Sequence, residues 1–299
     1  TAGEVELGPH QSASLTPDEI ARGMSLFCVA KPQTDLTIEI REVQGIGDIP
    51  IKKLPCRVQS IEKVAPDVVI LKLQLPATEK LRFNAGQYIE VILKDGRRRS
   101  YSLASAPHED GALELHVRHL PGGAFTDHVF GAGATQMKER EIMRFEGPFG
   151  SFFLREDSDK PIVMVASGTG FAPIRAMVEH IKAKGITRPV TLYWGGRRPH
   201  DLYSDAMAKA WAQELPNFTY VPVISNALPD DNWTGRTGFV HRAVLEDFKD
   251  LSGYQVYACG APIVVESAGR DFGAEAGLPF DEFYADSFTS EADIAANTV

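Results

Sequence analysis

The chain has 299 residues, with 31 basic and 40 acidic side chains and a net charge of −9. At roughly 150 residues per domain, this length predicts about two domains, and 43% apolar with 24% charged residues excludes a disordered or collagenous chain. The acidic balance excludes a nucleic-acid footprint, and apolar runs such as Ile162 to Ala166 fall far short of the ~20 residues that cross a bilayer.

Residues 1–43 form a first block. Thr16-Pro17-Asp18-Glu19 reads as a helix start, with Thr16 as N-cap, Pro17 in the first turn and Glu19 completing a capping box. Leu36, Ile38 and Ile40 alternate with polar residues, which predicts a half-buried strand. Residues 44–53 have the glycine and proline content of a linker. From residue 54 to about 155 the period is mostly two, with strands predicted over Val68–Leu75, Gln87–Leu93 and Leu113–Arg118. Short strands with turn punctuation imply an antiparallel barrel or sandwich.

The pattern changes after Lys160. Pro161–Ala166 is a fully apolar run suited to a central parallel strand. Ile174, Met177, Val178 and Ile181 then mark one helix face, which Lys182, Lys184 and Gly185 close. A strand at Val190–Trp194, a helix near Ser204–Leu215, a strand near Thr219–Ile224, a helix near Val240–Phe248 and a strand at Gln255–Ala258 continue the alternation. Residues 156–290 therefore read as an α/β doubly wound nucleotide-binding domain, with 291–299 as a tail.

Three features carry chemistry. Gly168-Thr169-Gly170, between the apolar strand and its helix, allows a tight turn, close approach of a pyrophosphate and an anion at the helix N-terminus. Pro173 stands where a third glycine is usual and fits a first helical turn. Arg99-Ser100-Tyr101-Ser102 offers a phosphate partner, an aromatic plane and a hydroxyl, or is an ordinary strand. Pro121-Gly122-Gly123-Ala124-Phe125-Thr126 is a second phosphate cradle or a plain turn. His116 and His119 are three apart on a strand and point to opposite faces, so they form no metal pair. Only Cys28, Cys56 and Cys259 are present, so no disulfide framework is expected, and a reducing cytoplasm is the expected compartment.

In order and register, these motifs resemble the ferredoxin–NADP reductase-like flavoprotein reductases. The resemblance runs from Arg99-Ser100-Tyr101-Ser102 through Gly122-Gly123, Gly147-Pro148-Phe149-Gly150 and Gly168-Thr169-Gly170 to Tyr257-Ala258-Cys259-Gly260. It is nearest to the CDP-6-deoxy-3,4-glucoseen reductase-like proteins and to oxygenase reductases. The fold it implies is multi-domain, an antiparallel β-barrel FAD-binding domain followed by the α/β NAD(P)-binding domain.

The resemblance also implies residue roles. Arg99 would contact the FAD pyrophosphate, Tyr101 stack on the flavin and Ser102 approach its N5. His116, Val117 and Arg118 would line the ring edge, and Gly122, Gly123 and Thr126 would bind pyrophosphate. Cys259 and Gly260 would sit beside the nicotinamide, and Phe288 would shield the ring. Ser25–Pro32 resembles the end of a plant-type [2Fe–2S] ferredoxin, with Cys28 as a fourth cluster ligand. The upstream C-x4-C-x2-C is not present, so residues 1–43 are expected to be a ferredoxin remnant and the cluster only in a full-length parent.

The implied activity is hydride transfer from nicotinamide to FAD, then single electrons to a downstream dehydrase or oxygenase component. A flavin-bearing regulatory subunit is the rival reading. Arg197, after the second strand, suits the 2′-phosphate of NADPH. The surrounding segment resembles NADH-using reductases, and Asp201 is placed to pair with an arginine, so NADH is the expected donor.

Overall fold

The computed structural model describes residues 2–10, 15, 17–38, 49–132 and 135–289. It divides into two bodies, Thr1–Gly45 with Phe288–Val299, and Ile46–Ser287. In the first, β1 (Val5–Leu7) pairs antiparallel with β2 (Ala30–Pro32), and α1 (Pro17–Ala21) lies between them in sequence. The helix opens at Pro17, as its pattern predicts, with Asp18 and Glu19 in its first turn; the expected cap, Thr16, lies outside the described residues. Of the strand expected around Leu36–Arg41, the described residues show a single bridge between Thr37 and Ala2. Ile38 is half exposed, so its alternation finds no face to bury; Ile40 and Arg41 lie outside the described residues.

The second body begins with an antiparallel sheet. Its strands are β3 (Lys52–Ala65), β4 (Val68–Gln74), β5 (Tyr88–Ile92), β6 (Arg98–Ser102), β7 (Leu113–Arg118) and β8 (Ile142–Phe149), in the order β6-β5-β8-β3-β4-β7. Leu103 bridges to Leu115, and the Ala104 amide donates to the Glu114 carbonyl at 2.8 Å. These contacts bring the two outer strands together and close the barrel. Inside it, Val58, Leu71, Leu73, Ile89, Leu103, Leu115, Val117 and Phe145 are fully buried. α2 (Ala124–Phe130) follows β7.

β3 starts at Lys52, inside the segment that reads as a linker, and Lys52 and Lys53 already pair with Gly147 and Glu146. Pro55 does not interrupt it, because pairing with β4 begins only at Arg57. The missing N–H therefore falls where the strand has a neighbour on one side.

The remaining chain forms a parallel sheet ordered β12-β11-β10-β9-β13-β14. Its strands are β9 (Ile162–Ser167), β10 (Val190–Gly196), β11 (Phe218–Ile224), β12 (Arg236–Thr237), β13 (Gln255–Gly260) and β14 (Phe283–Ser287). The connecting helices include α3 (Phe171–Lys184), α4 (Asp205–Glu214), α5 (Val240–Asp247) and α6 (Pro262–Ala276). Ile162 to Ala166 are all buried, as a strand covered on both faces requires. α3 stops at Gly185, whose φ of 63° is left-handed and whose N–H closes on Ile181 and Lys182.

From β9 the chain winds outward to β12, then returns to β13 on the opposite side of β9. That reversal opens a crevice at the carboxyl ends of β9 and β13, the position where doubly wound sheets bind their ligands. No helix among the described residues is long and apolar enough to cross a membrane.

Candidate functional site

Two glycine-bearing segments meet in that crevice. Gly168–Gly170 form a 3-10 turn leading from β9 into α3, and Cys259-Gly260 end β13. A Cβ on Gly170 would stand 2.1 Å from the Cys259 carbonyl oxygen, and one on Gly260 only 2.3 Å from the Ser167 carbonyl oxygen. Gly260 also has φ +128°, which side chains other than glycine rarely adopt. The close approach of the strand ends therefore depends on these glycines. Thr169 and Pro173 are buried in the turn and the first turn of α3. The Trp194 indole donates to the Gly168 carbonyl at 3.0 Å and holds the turn from behind.

Ser102, at the end of β6, reaches the same place from the barrel. Its hydroxyl donates to Asp286 Oδ2 at 3.3 Å, and the Cys259 sulfur lies 4.0 Å from the same oxygen. Burial pushes the Asp286 carboxyl above the ordinary carboxylate range. Burial also pushes the Cys259 thiol well up, so it stays protonated and unreactive. Ser102, Cys259 and Gly260 are thus brought together. Asp286 is the member that sequence reasoning missed, since it lies in β14 within a segment read for its aromatics.

A charged network joins barrel and parallel sheet beside this point. His116 is buried, with Nε2 2.9 Å from Glu114 Oε1 and Nδ1 2.8 Å from the Tyr203 hydroxyl. A carboxylate only accepts, so Nε2 carries the proton and Nδ1 accepts from Tyr203. Burial pulls the imidazole below its usual pKa, which keeps it neutral. Glu114 also faces Arg175 at 3.4 Å. Tyr203 stands edge-on to Trp194, whose ring stacks on Phe171 at 3.9 Å. His116, expected at a flavin edge, therefore has both ring nitrogens engaged, Nε2 within β7 and Nδ1 across the seam, and Val117 is packed in the barrel core.

Arg118 crosses the seam as well. It donates to Asp67 at 2.7 Å and to Asp201 at 3.2 Å. A Cβ on Gly168 would stand 2.7 Å from its Nη1, so the guanidinium lies against the nucleotide turn. Asp201 does pair with an arginine, but that arginine is Arg118. Its other oxygen accepts the Arg197 and Arg198 amides at 2.8 and 2.9 Å.

The remaining expected residues are more dispersed. Arg99-Ser100-Tyr101-Ser102 lies within β6, paired with β5. Tyr101 packs against Phe125 with ring centroids 5.0 Å apart. The second glycine turn is less open than its sequence suggests. The Gly122 amide donates to Asp127 at 3.1 Å, the Gly123 amide to the Leu120 carbonyl at 2.8 Å, and the buried Thr126 hydroxyl to the Leu120 carbonyl at 2.8 Å. Phe283 and Tyr284 pack against Phe272 and Tyr257. Phe288 falls in the other body, as does Cys28, which is exposed. Among the described residues no group of three or more His, Cys, Asp or Glu is placed to hold a metal.

Comparison with known proteins agrees with this geometry. Residues 55–154 match the oxidoreductase FAD-binding domain and residues 164–270 the oxidoreductase NAD-binding domain. The chain is 44% identical over 287 residues to a CDP-6-deoxy-L-threo-D-glycero-4-hexulose-3-dehydrase reductase of Yersinia pseudotuberculosis, covering 96% of this chain and 84% of the relative. It is 36% identical over 267 residues to a terephthalate 1,2-dioxygenase reductase component of a Comamonas species, covering 89% and 77%. Among solved structures, a cytochrome P450 reductase of Amycolatopsis superposes with a TM-score of 0.76 at 34% identity, covering 97% of this chain and 85% of that one.

Proposed function

This chain belongs to the FAD- and NAD-binding oxidoreductases, and we propose that its crevice carries hydride from NADH to a flavin held by the barrel. The observation that carries the reading is the convergence of Ser102 and Cys259 on Asp286, beside the interlocked turns of Gly170 and Gly260. The donor set fits the cofactors. Arg99 supplies a forked cation for a pyrophosphate, Tyr101 an aromatic plane and Ser102 a hydroxyl. Gly122, Gly123 and Thr126 shape the loop facing that pyrophosphate. When bound, FAD supplies the exchange between two-electron and one-electron chemistry.

The chain's own residues do the positioning. Gly168, Thr169, Gly170 and Pro173 receive the nicotinamide nucleotide's phosphates at the start of α3, with Arg118 reaching over the turn as a further cation. Cys259 and Gly260 form the wall against which the nicotinamide rests. Arg197 packs beside the adenosine. Asp286, kept protonated over a wider pH range by burial, holds a proton one hydrogen bond from the Ser102 hydroxyl. With FAD bound, the Ser102 hydroxyl would be the group placed to hydrogen-bond the flavin edge, and Asp286 would orient it.

The dehydrase reductase relative makes a dehydrase the proposed electron acceptor, with an oxygenase component second. Residues 1–43 are proposed to belong to a ferredoxin-like domain on the Ser25–Pro32 resemblance. Three widely spaced cysteines make the cytoplasm the proposed compartment. The test is anaerobic addition of NADH to the purified flavoprotein, with bleaching of the flavin expected. Arg99→Ala should lose flavin on dialysis, because a charge-assisted bond to phosphate contributes on the order of 1.5–3 kcal/mol. Full retention by the variant, or no bleaching in the parent, refutes the reading.

A further inference from the structure

The first turns of α3 are apolar and buried from Phe171 to Val178, with one exception, Arg175. An arginine in that setting needs partners, since a desolvated cation left unpaired is strongly disfavoured. Arg175 finds them on the barrel. Its Nη1 donates to the Ala104 carbonyl at 2.6 Å and to Glu109 Oε2 at 3.2 Å, and its Nη2 to Glu109 Oε1 at 3.2 Å. Its Nε stands 3.4 Å from Glu114 Oε1, and the two side chains are only 12% and 10% exposed.

These partners are fixed within the barrel. Glu109 Oε2 accepts the Ala106 amide at 2.7 Å, the Glu114 amide donates to the Ser105 hydroxyl at 3.0 Å, and Glu114 Oε1 accepts from His116. Ala104 and Ala106 are themselves buried. Burial pushes the Glu114 carboxyl up, but the His116 bond and the Arg175 charge outweigh it and hold the group below the usual carboxylate range. The pair is therefore ionised. Ala104 comes two residues after Ser102, and Arg175 five residues after Gly170. One guanidinium thus ties the helix that follows the nucleotide turn to the strand end that carries Ser102.

We propose that Arg175 is a positioning residue for hydride transfer: it fixes the start of α3 against the barrel and so sets the gap between nicotinamide and flavin. The two rings are held by different sheets, and transfer between them tolerates little error in their separation. With its fork engaged by barrel groups, Arg175 acts through geometry and not as a ligand of the nucleotide. A planar fork serves a carbonyl and two carboxylates at once, which a lysine ammonium cannot match. The other ties across the seam, His116 to Tyr203 and Arg118 to Asp201, grip the segment after β10 instead. The inference rests on the reading of this crevice as the hydride-transfer site.

The experiment uses the holoprotein with Arg175→Met, which keeps the buried stem, and Arg175→Lys, which keeps the charge without the fork. Three readouts are taken: the stopped-flow rate of flavin reduction at saturating NADH, calorimetric affinity for ADP-ribose, and amide hydrogen exchange over residues 104–106 and 171–176. Arg175→Met should slow reduction about tenfold or more, since a misplacement of about 1 Å at a reacting centre costs on the order of 10²-fold. Arg175→Lys should fall between it and the parent, roughly three- to tenfold slow. In both, ADP-ribose affinity should stay within about twofold of the parent, and exchange should quicken in the two segments. If Arg175→Met does not fold, Arg175→Lys decides alone. A saturating rate within about twofold of the parent in the folded variants overturns the proposal, as does unchanged exchange. A loss carried by ADP-ribose affinity also overturns it, because Arg175 would then be a ligand of the nucleotide. If NADH does not reduce the parent's flavin, the hydride-transfer reading falls, and the exchange data still decide whether Arg175 ties α3 to the barrel.

Discussion

Replacing Gly170 with alanine tests the crevice most directly. Its φ of −57° is ordinary, so alanine meets no backbone strain there. It meets the opposite strand instead. The added Cβ would stand 2.1 Å from the Cys259 carbonyl oxygen, where ordinary contact begins at 3.4 Å, so the two segments must part by about 1.3 Å. Neither side yields easily. The obstacle is backbone of β13, which is paired on both sides by β9 and β14.

Overpacking of this kind costs roughly 1–3 kcal/mol. At roughly 2–4 °C per kcal/mol for a domain of this size, the melting temperature should fall by several degrees. The larger consequence is positional. A misplacement of about 1 Å at a reacting centre costs on the order of 10²-fold in rate, and Cys259 forms the proposed wall for the nicotinamide. Stopped-flow reduction of the bound flavin by NADH should therefore slow by about two orders of magnitude, while flavin content is retained because Arg99, Tyr101 and Ser102 lie on the barrel. A variant that melts like the parent and reduces flavin within a few-fold of its rate would refute the claim that the two turns interlock around the reacting site.

Two other substitutions probe the buried polar groups. Burial holds the Asp286 carboxyl above its usual 3.8, so the folded protein keeps a proton that the unfolded chain has released. Stability from this group is full below the unfolded value and falls as pH rises towards the folded one. Asp286→Asn should flatten that stretch of the melting profile and slow flavin reduction; a wild-type slope would show the carboxyl to be an ordinary one. Tyr203→Phe removes the hydroxyl that donates to His116 Nδ1 and leaves that nitrogen buried without a donor, a loss of about 1–3 kcal/mol. The urea midpoint should drop accordingly, and an unchanged midpoint would mean that the hydroxyl is not the donor.

Much of the architecture is readable along the chain. The apolar run Ile162–Ala166, the glycine turn after it and the helical spacing of Ile174, Met177, Val178 and Ile181 specify strand, turn and helix within about twenty residues. Side-chain period and turn chemistry are local properties, so they survive in the sequence. The β3 boundary did not, because Gly and Pro around residues 44–55 look the same in a linker and in a strand whose proline has a neighbour on one side only.

The site divides in the same way. Gly168, Gly170, Cys259 and Ser102 stand in motifs and were readable. Asp286, Tyr203 and Arg175 were not. Ser102 and Asp286 are 184 residues apart, His116 and Tyr203 87, and Ala104 and Arg175 71. Nothing near any of them in sequence distinguishes it from a solvated residue. The sequence by itself determined that a barrel precedes a doubly wound sheet and where the nucleotide turn lies, since those follow from periodicity and glycine placement. Only the tertiary structure decided which charges meet: Arg118 on Asp201, Arg175 on Glu109, Ser102 on Asp286. Ion pairs and buried hydrogen bonds form between whatever groups strand order and barrel closure bring within about 3 Å, and that proximity is set by the packed whole.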